Sequence, residues 1–168
     1  MKRFLIALSL VVLAGAGCAK HVTAPDLTAY ENAPYGFAFD YPKNMEIHVP
    51  TEATRKVPYL GIAGEYFIAL RDTVAEEKPL NIASFFAAGL TVDDFVKKLE
   101  ASGTGIVVKS KEPVEKNGLK MTKVTSTTES GEEKIHYLFD HAGTTVIVEE
   151  FLYQHDAFAP ILDSFRPL

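Results

Sequence analysis

Lys134-Ile135-His136-Tyr137-Leu138-Phe139-Asp140-His141-Ala142-Gly143-Thr144-Thr145-Val146-Ile147-Val148-Glu149-Glu150 constrains the architecture more than any other segment of the chain. It reads as two strands joined by a turn at Ala142-Gly143. Both strands are apolar on both faces, through Tyr137-Leu138-Phe139 and Val146-Ile147-Val148. A strand apolar on both sides needs cover on both sides.

The same hairpin sets a register. A two-residue turn pairs His141 with Thr144, and counting back places His136 opposite Glu149. Opposed strand residues have Cβ atoms about 4.5–5.5 Å apart, and a carboxylate that close favours protonated imidazole. Two readings stay open: half of a metal or proton-transfer site, or a polar cross-strand pair at the sheet margin. A metal centre needs three or four converging ligands, and His136 and Glu149 are the only two the pattern places. They are the weak metal candidates, and no cofactor is assigned.

Upstream, Ser130-Gly131 turns the chain back into a strand over 119–127, and Asn117-Gly118 joins that to another over 106–114. Asn-Gly tolerates the positive φ of a type I′ hairpin. Earlier still, Thr91 is an N-cap, with Asp93 and Asp94 beside the positive end of a helix running to about residue 101. Val92, Phe95, Val96 and Leu99 give it one apolar stripe, and Gly103 ends it. Residues 65–71 and 80–86 read as strands joined by a charged loop.

Tyr35-Gly36-Phe37-Ala38-Phe39-Asp40-Tyr41 alternates its rings onto one face, which reads as core. Residues 45–49 form a further strand, and a looser segment follows, with Pro50 and Pro58 as breaks. Downstream, Phe158, Ile161, Leu162 and Phe165 share a helical face over about 156–165. Pro160 belongs in a first turn, so the regular helix is expected to start close to it. The fold class is α+β: an antiparallel sheet with helices packed on its faces.

The N-terminus carries a different message. Lys2 and Arg3 precede an apolar run over 4–14, within the ~7–15 residues of a signal core and short of the ~20 a spanning helix needs. Ala14-Gly15-Ala16-Gly17-Cys18 then resembles a bacterial lipoprotein processing site, although Gly15 stands where such sites usually have Leu. Cys18 is the chain's one cysteine, so no disulfide framework competes for it. The resemblance implies lipidation at Cys18, palmitate among the acyl chains, and a cell-envelope location. Ala19 after the cysteine points to the outer membrane, facing the periplasm. Residues 1–17 are then the signal peptide, 18–33 the lipidated N-terminus and tether, and 34–168 the folded domain.

With 17 basic against 22 acidic residues the chain is net −5, and loss of Lys2 and Arg3 makes the remainder more acidic. That balance argues against nucleic acid, whose binding relies on Lys and Arg neutralising phosphates. It also leaves membrane attachment to the lipid.

Several of these pieces together resemble the PsbP-like family: Tyr35 through Tyr41 with Pro42, the helix opening Thr91-Val92-Asp93-Asp94-Phe95, the Asn117-Gly118 hairpin, and Asp163-Ser164-Phe165-Arg166. The resemblance runs from Tyr35 to the C-terminus and implies an α/β/α sandwich. Family members include the extrinsic photosystem II subunit and non-photosynthetic bacterial lipoproteins, and mostly bind proteins. Met45 stands where members often carry tryptophan, and the chain has none, which weakens a photosystem-like role.

No Gly-rich phosphate loop, Gly-x-Ser-x-Gly elbow or His-Glu-x-x-His helix is present. The acidic doublets Glu76-Glu77, Asp93-Asp94, Glu132-Glu133 and Glu149-Glu150 read as solvated loop and cap positions. The expected function is a non-enzymatic, lipid-anchored accessory lipoprotein, monomeric in its folded domain, that binds an envelope protein. The alternative is a small-ligand or metal-binding lipoprotein using the His136/Glu149 region.

Overall fold

A computed structural model describes residues 26–73, 80–151 and 154–168. Cys18, His21 and the Glu76-Glu77 doublet lie outside them. Among the described residues ten strands form two antiparallel sheets: β1 (Leu27–Asn32), β2 (Phe37–Pro42), β3 (Met45–His48), β4 (Glu65–Asp72), β5 (Leu80–Ala88), β6 (Val107–Lys116), β7 (Leu119–Thr127), β8 (Glu133–His141), β9 (Thr144–Glu150) and β10 (Arg166–Pro167). The large sheet has order β3-β4-β5-β9-β8-β7-β6, and the small one β1-β2-β10. Three helices accompany them: α1 (Glu52–Arg55), α2 (Val92–Ala101) and α3 (His155–Asp163).

The hairpin of β8 and β9 lies inside the large sheet, as its two apolar faces require, and His136 does pair with Glu149. Asn117 (φ 47°) and Gly118 (φ 87°) make the β6–β7 turn. The Asn117 side chain then reaches the C-terminus, its Nδ2 donating to the carbonyls of Asp163 at 2.8 Å and Phe165 at 3.0 Å.

One face of the large sheet packs on α2. Phe95 and Leu99 are fully buried against Val124, Leu138 and Ile147. The Thr91 hydroxyl caps α2 by accepting from the Asp94 N–H at 3.2 Å. The other face meets α3 and the small sheet. There Phe37, Phe39, Phe85 and Phe165 stand nearly parallel, with centroids 5.0–6.2 Å apart and planes within 18°. Each is fully buried. The α+β class therefore holds, but a sheet forms much of one outer layer, so the molecule is richer in sheet than an α/β/α sandwich.

Three local expectations are corrected. The stretch assigned to the tether (18–33) already contributes β1, paired along its whole length with β2. Its apolar signal is weak because only the inward face, with Tyr30 and Asn32, meets the core. Second, Pro160 sits well inside α3 instead of near its start. Pro160 and Asp156 are both exposed, so the Asp156 carbonyl that the missing N–H would have bonded is open to water. Third, the segment between β3 and β4 is not featureless: it holds α1 and a tight turn at Leu60-Gly61.

At its far edge, β6 alternates exposed and half-buried residues and carries Pro113 in mid-strand. Among the described residues no helix is long and apolar enough to cross a membrane.

Candidate functional site

Directly paired residues in a sheet share a face, and the register lines up one row across the α2-side face of the large sheet. It runs His48, Ala69, Ser84, Glu149, His136, Val124 from β3 to β7. The α2 side of the row is sealed and the β3 side is open. Glu149 stands near the boundary.

On the sealed side His136 is fully buried. Its ring is packed edge-on against Phe95 and Tyr59, and Nε2 lies 2.5 Å from the Tyr59 hydroxyl. Tyr59 is held there by the turn at Leu60 (φ 50°) and Gly61 (φ 77°), closed by bonds between Tyr59 and Ile62 in both directions. Burial moves the histidine opposite to expectation. Desolvation, with Lys134 adding repulsion, lowers its pKa from 6.5 to about 3, so the ring is neutral. The Glu149 carboxylate beside it does not win, because enclosing a cation costs more than one partly screened neighbour returns. The pair also sits within the sheet, not at its margin. Burial, then the charge of Glu149, pushes the Tyr59 hydroxyl well above its usual pKa, so it too stays protonated.

His136 Nδ1 and the Ser126 hydroxyl are buried without a hydrogen-bond partner among the described residues. No group of three or more His, Cys, Asp or Glu side chains able to hold a metal converges among the described residues. His136 and Glu149 are brought together as the hairpin register requires, but no third ligand joins them. Of the remaining histidines, His155 contacts the buried carboxylate of Glu150, which also accepts from the Tyr137 hydroxyl at 3.1 Å.

On the open side lies a cleft of about 390 Å³, bordered by His48, Tyr66, Arg71, Asn81, Ser84 and Glu149. Its floor exists because small residues, Ala69 and Ser84, occupy the middle of the row. Glu149 Oε2 accepts from the Ser84 hydroxyl at 3.3 Å, and Oε1 faces the Lys134 ammonium at 3.5 Å. Arg71 donates from Nε to Asn81 at 3.1 Å and holds Glu46 at 3.9 Å. Burial and the Glu149 charge raise Tyr66 to about 12, which keeps its hydroxyl a donor. The Ser84 hydroxyl is directed at the Glu149 carboxylate rather than at a histidine.

The sequence pointed to Glu149 but not to this cleft. Arg71 and Asn81 come together only through an irregularity in the β4–β5 pairing next to Arg71. No sequence signal fixes such a shift.

No protein-family profile matches the chain, and no curated protein matches it. Among solved structures, the solution structure of cyanobacterial PsbP (CyanoP) from Synechocystis sp. PCC 6803 is similar, with a TM-score of 0.54 at 13% identity. The match covers 91% of this chain and 99% of that one. At that identity the likeness concerns the fold: the chain has a PsbP-like fold.

Proposed function

We propose that this protein is a lipid-anchored accessory lipoprotein of the bacterial envelope, held at Cys18 and facing the periplasm. Its PsbP-like domain binds an envelope protein and carries out no catalysis. The fold likeness to cyanobacterial PsbP over nearly the whole domain is the observation that carries this reading. In the family that the sequence resembles, this fold mostly serves protein binding. The N-terminal pattern ending at Cys18 supports the anchor, and the acidic balance of the chain supports a lipid over an electrostatic attachment.

Fold alone does not determine function, so the test is biochemical. Tagged full-length protein, extracted in mild detergent and affinity-purified, is expected to bring down one envelope protein in fixed proportion. Recovery of the bare protein after in-cell crosslinking overturns the proposal. The metal alternative gains no support from His136, whose Nε2 is taken by Tyr59 in a sealed environment.

A further inference from the structure

We propose that the cleft beside Glu149 binds a short zwitterionic peptide of two or three residues with free termini, its ammonium on Glu149 and its carboxylate on Arg71. This inference concerns a small ligand and stands apart from the protein-binding reading.

Among the described residues the cleft offers charge of both signs at separate places: Arg71 lies by Glu46, and Glu149 by Lys134. Neither a simple anion nor a simple cation uses both. A neutral molecule with separated charges does. Glu149 has capacity to receive one end. Its side chain is only 13% exposed, yet its bonds to Ser84 and Lys134, at 3.3 and 3.5 Å, are long for charge-assisted bonds. A carboxylate can accept about four hydrogen bonds, and a ligand ammonium supplies three short donors.

Arg71 can receive the other end. Its side chain is 27% exposed, and its ion-pair partner among the described residues, Glu46, stands at the outer limit of such a pair. Guanidinium donors match a carboxylate in a planar fork. Tyr66 keeps a phenolic donor at the same cleft.

The spacing selects the ligand's length. From Glu149 to Arg71 the path crosses two strand-to-strand steps, through Ser84 and Ala69, and then two residues along β4. At ~4.8 Å per step and ~3.4 Å per residue the two Cα atoms are about 12 Å apart. The reach of both side chains shortens the gap between charges to roughly 7–10 Å. Extended peptide covers about 3.3–3.6 Å per residue, so two or three residues bridge it and one does not. The cleft volume falls in the range of small-ligand sites.

Isothermal titration calorimetry on the full-length protein in detergent tests this, using trialanine, its N-acetyl form, its C-terminal amide, and free alanine. Trialanine is expected to bind saturably at one site, and each of the other three more weakly by about tenfold or more. Glu149→Gln is expected to weaken trialanine but not the N-acetyl peptide, and Arg71→Gln to weaken trialanine but not the amide. Ala69→Phe, which fills the floor while keeping both charges, is expected to abolish binding. No saturable heat with trialanine, or capped peptides binding as well as the free one, overturns the proposal. The wild-type comparison decides even if a variant fails to fold.

Discussion

The Tyr59 hydroxyl stands 2.5 Å from Nε2 of His136, tying together residues 77 positions apart. The bond pins the loop between β3 and β4 onto the middle of the large sheet. It also gives the buried imidazole its only hydrogen-bond partner among the described residues, since Nδ1 has none.

Removing one side of this bond costs more than removing both. Tyr59→Phe leaves both ring nitrogens unsatisfied and is expected to cost about 1–3 kcal/mol. Tyr59→Phe combined with His136→Leu removes the stranded polar atoms and is expected to recover most of that loss. Urea denaturation of the two single variants and the double variant measures the coupling, and simple additivity contradicts the bond.

His136 also predicts a pH dependence. Its pKa is about 3 when folded, against 6.5 for the free side chain. Above pH 6.5 neither state binds the proton and this contribution to stability is complete. As the pH falls toward 3, the unfolded chain alone takes it up, so stability declines. Between about pH 7 and pH 4.5 the wild type is expected to lose about 2–3 kcal/mol more than His136→Leu. Denaturation at the two pH values checks this, and equal losses contradict it.

Asn117 combines a left-handed turn residue with a clamp on the C-terminus. Asn117→Gly keeps the turn geometry but loses both bonds to Asp163 and Phe165, at an expected cost of about 1–2 kcal/mol. Asn117→Ala loses the same bonds and adds about 1–2 kcal/mol of left-handed strain. Thermal denaturation should rank wild type, glycine and alanine in that order.

Phe37 is enclosed by parallel rings and contacts both sheets, so Phe37→Ala is expected to cost about 3–5 kcal/mol. Leu27→Ala, at a half-exposed position in β1, should stay within about 0.5 kcal/mol of wild type. Chemical denaturation of both variants separates the two.

Cys18→Ser removes the proposed acceptor for lipid. The variant is expected to move from the membrane fraction to the soluble one, followed by fractionation and immunoblot. Retention equal to wild type contradicts anchoring at this residue.

Local signals made part of this architecture legible in advance. The turn at Ala142-Gly143 fixes the β8–β9 register, and the Asn-Gly pair fixes β6–β7. Thr91 and the stripe through Phe95 and Leu99 mark α2. The environment of His136 was not legible, because Tyr59 comes from a distant loop and because burial, with Lys134, lowers the pKa that Glu149 was expected to raise. Nor was β1, whose partner strand supplies the regularity that its own residues lack. The cleft depends on two small side chains on neighbouring strands, Ala69 and Ser84, and each looks unremarkable within its own segment.

The outermost strand, with a ring residue interrupting its donors and lysines and glutamates along its length, has a consequence for life at high local density. Strands left bare at a rim invite identical molecules to zip together into endless ribbons. At this rim such growth has no clean template, however closely copies are crowded.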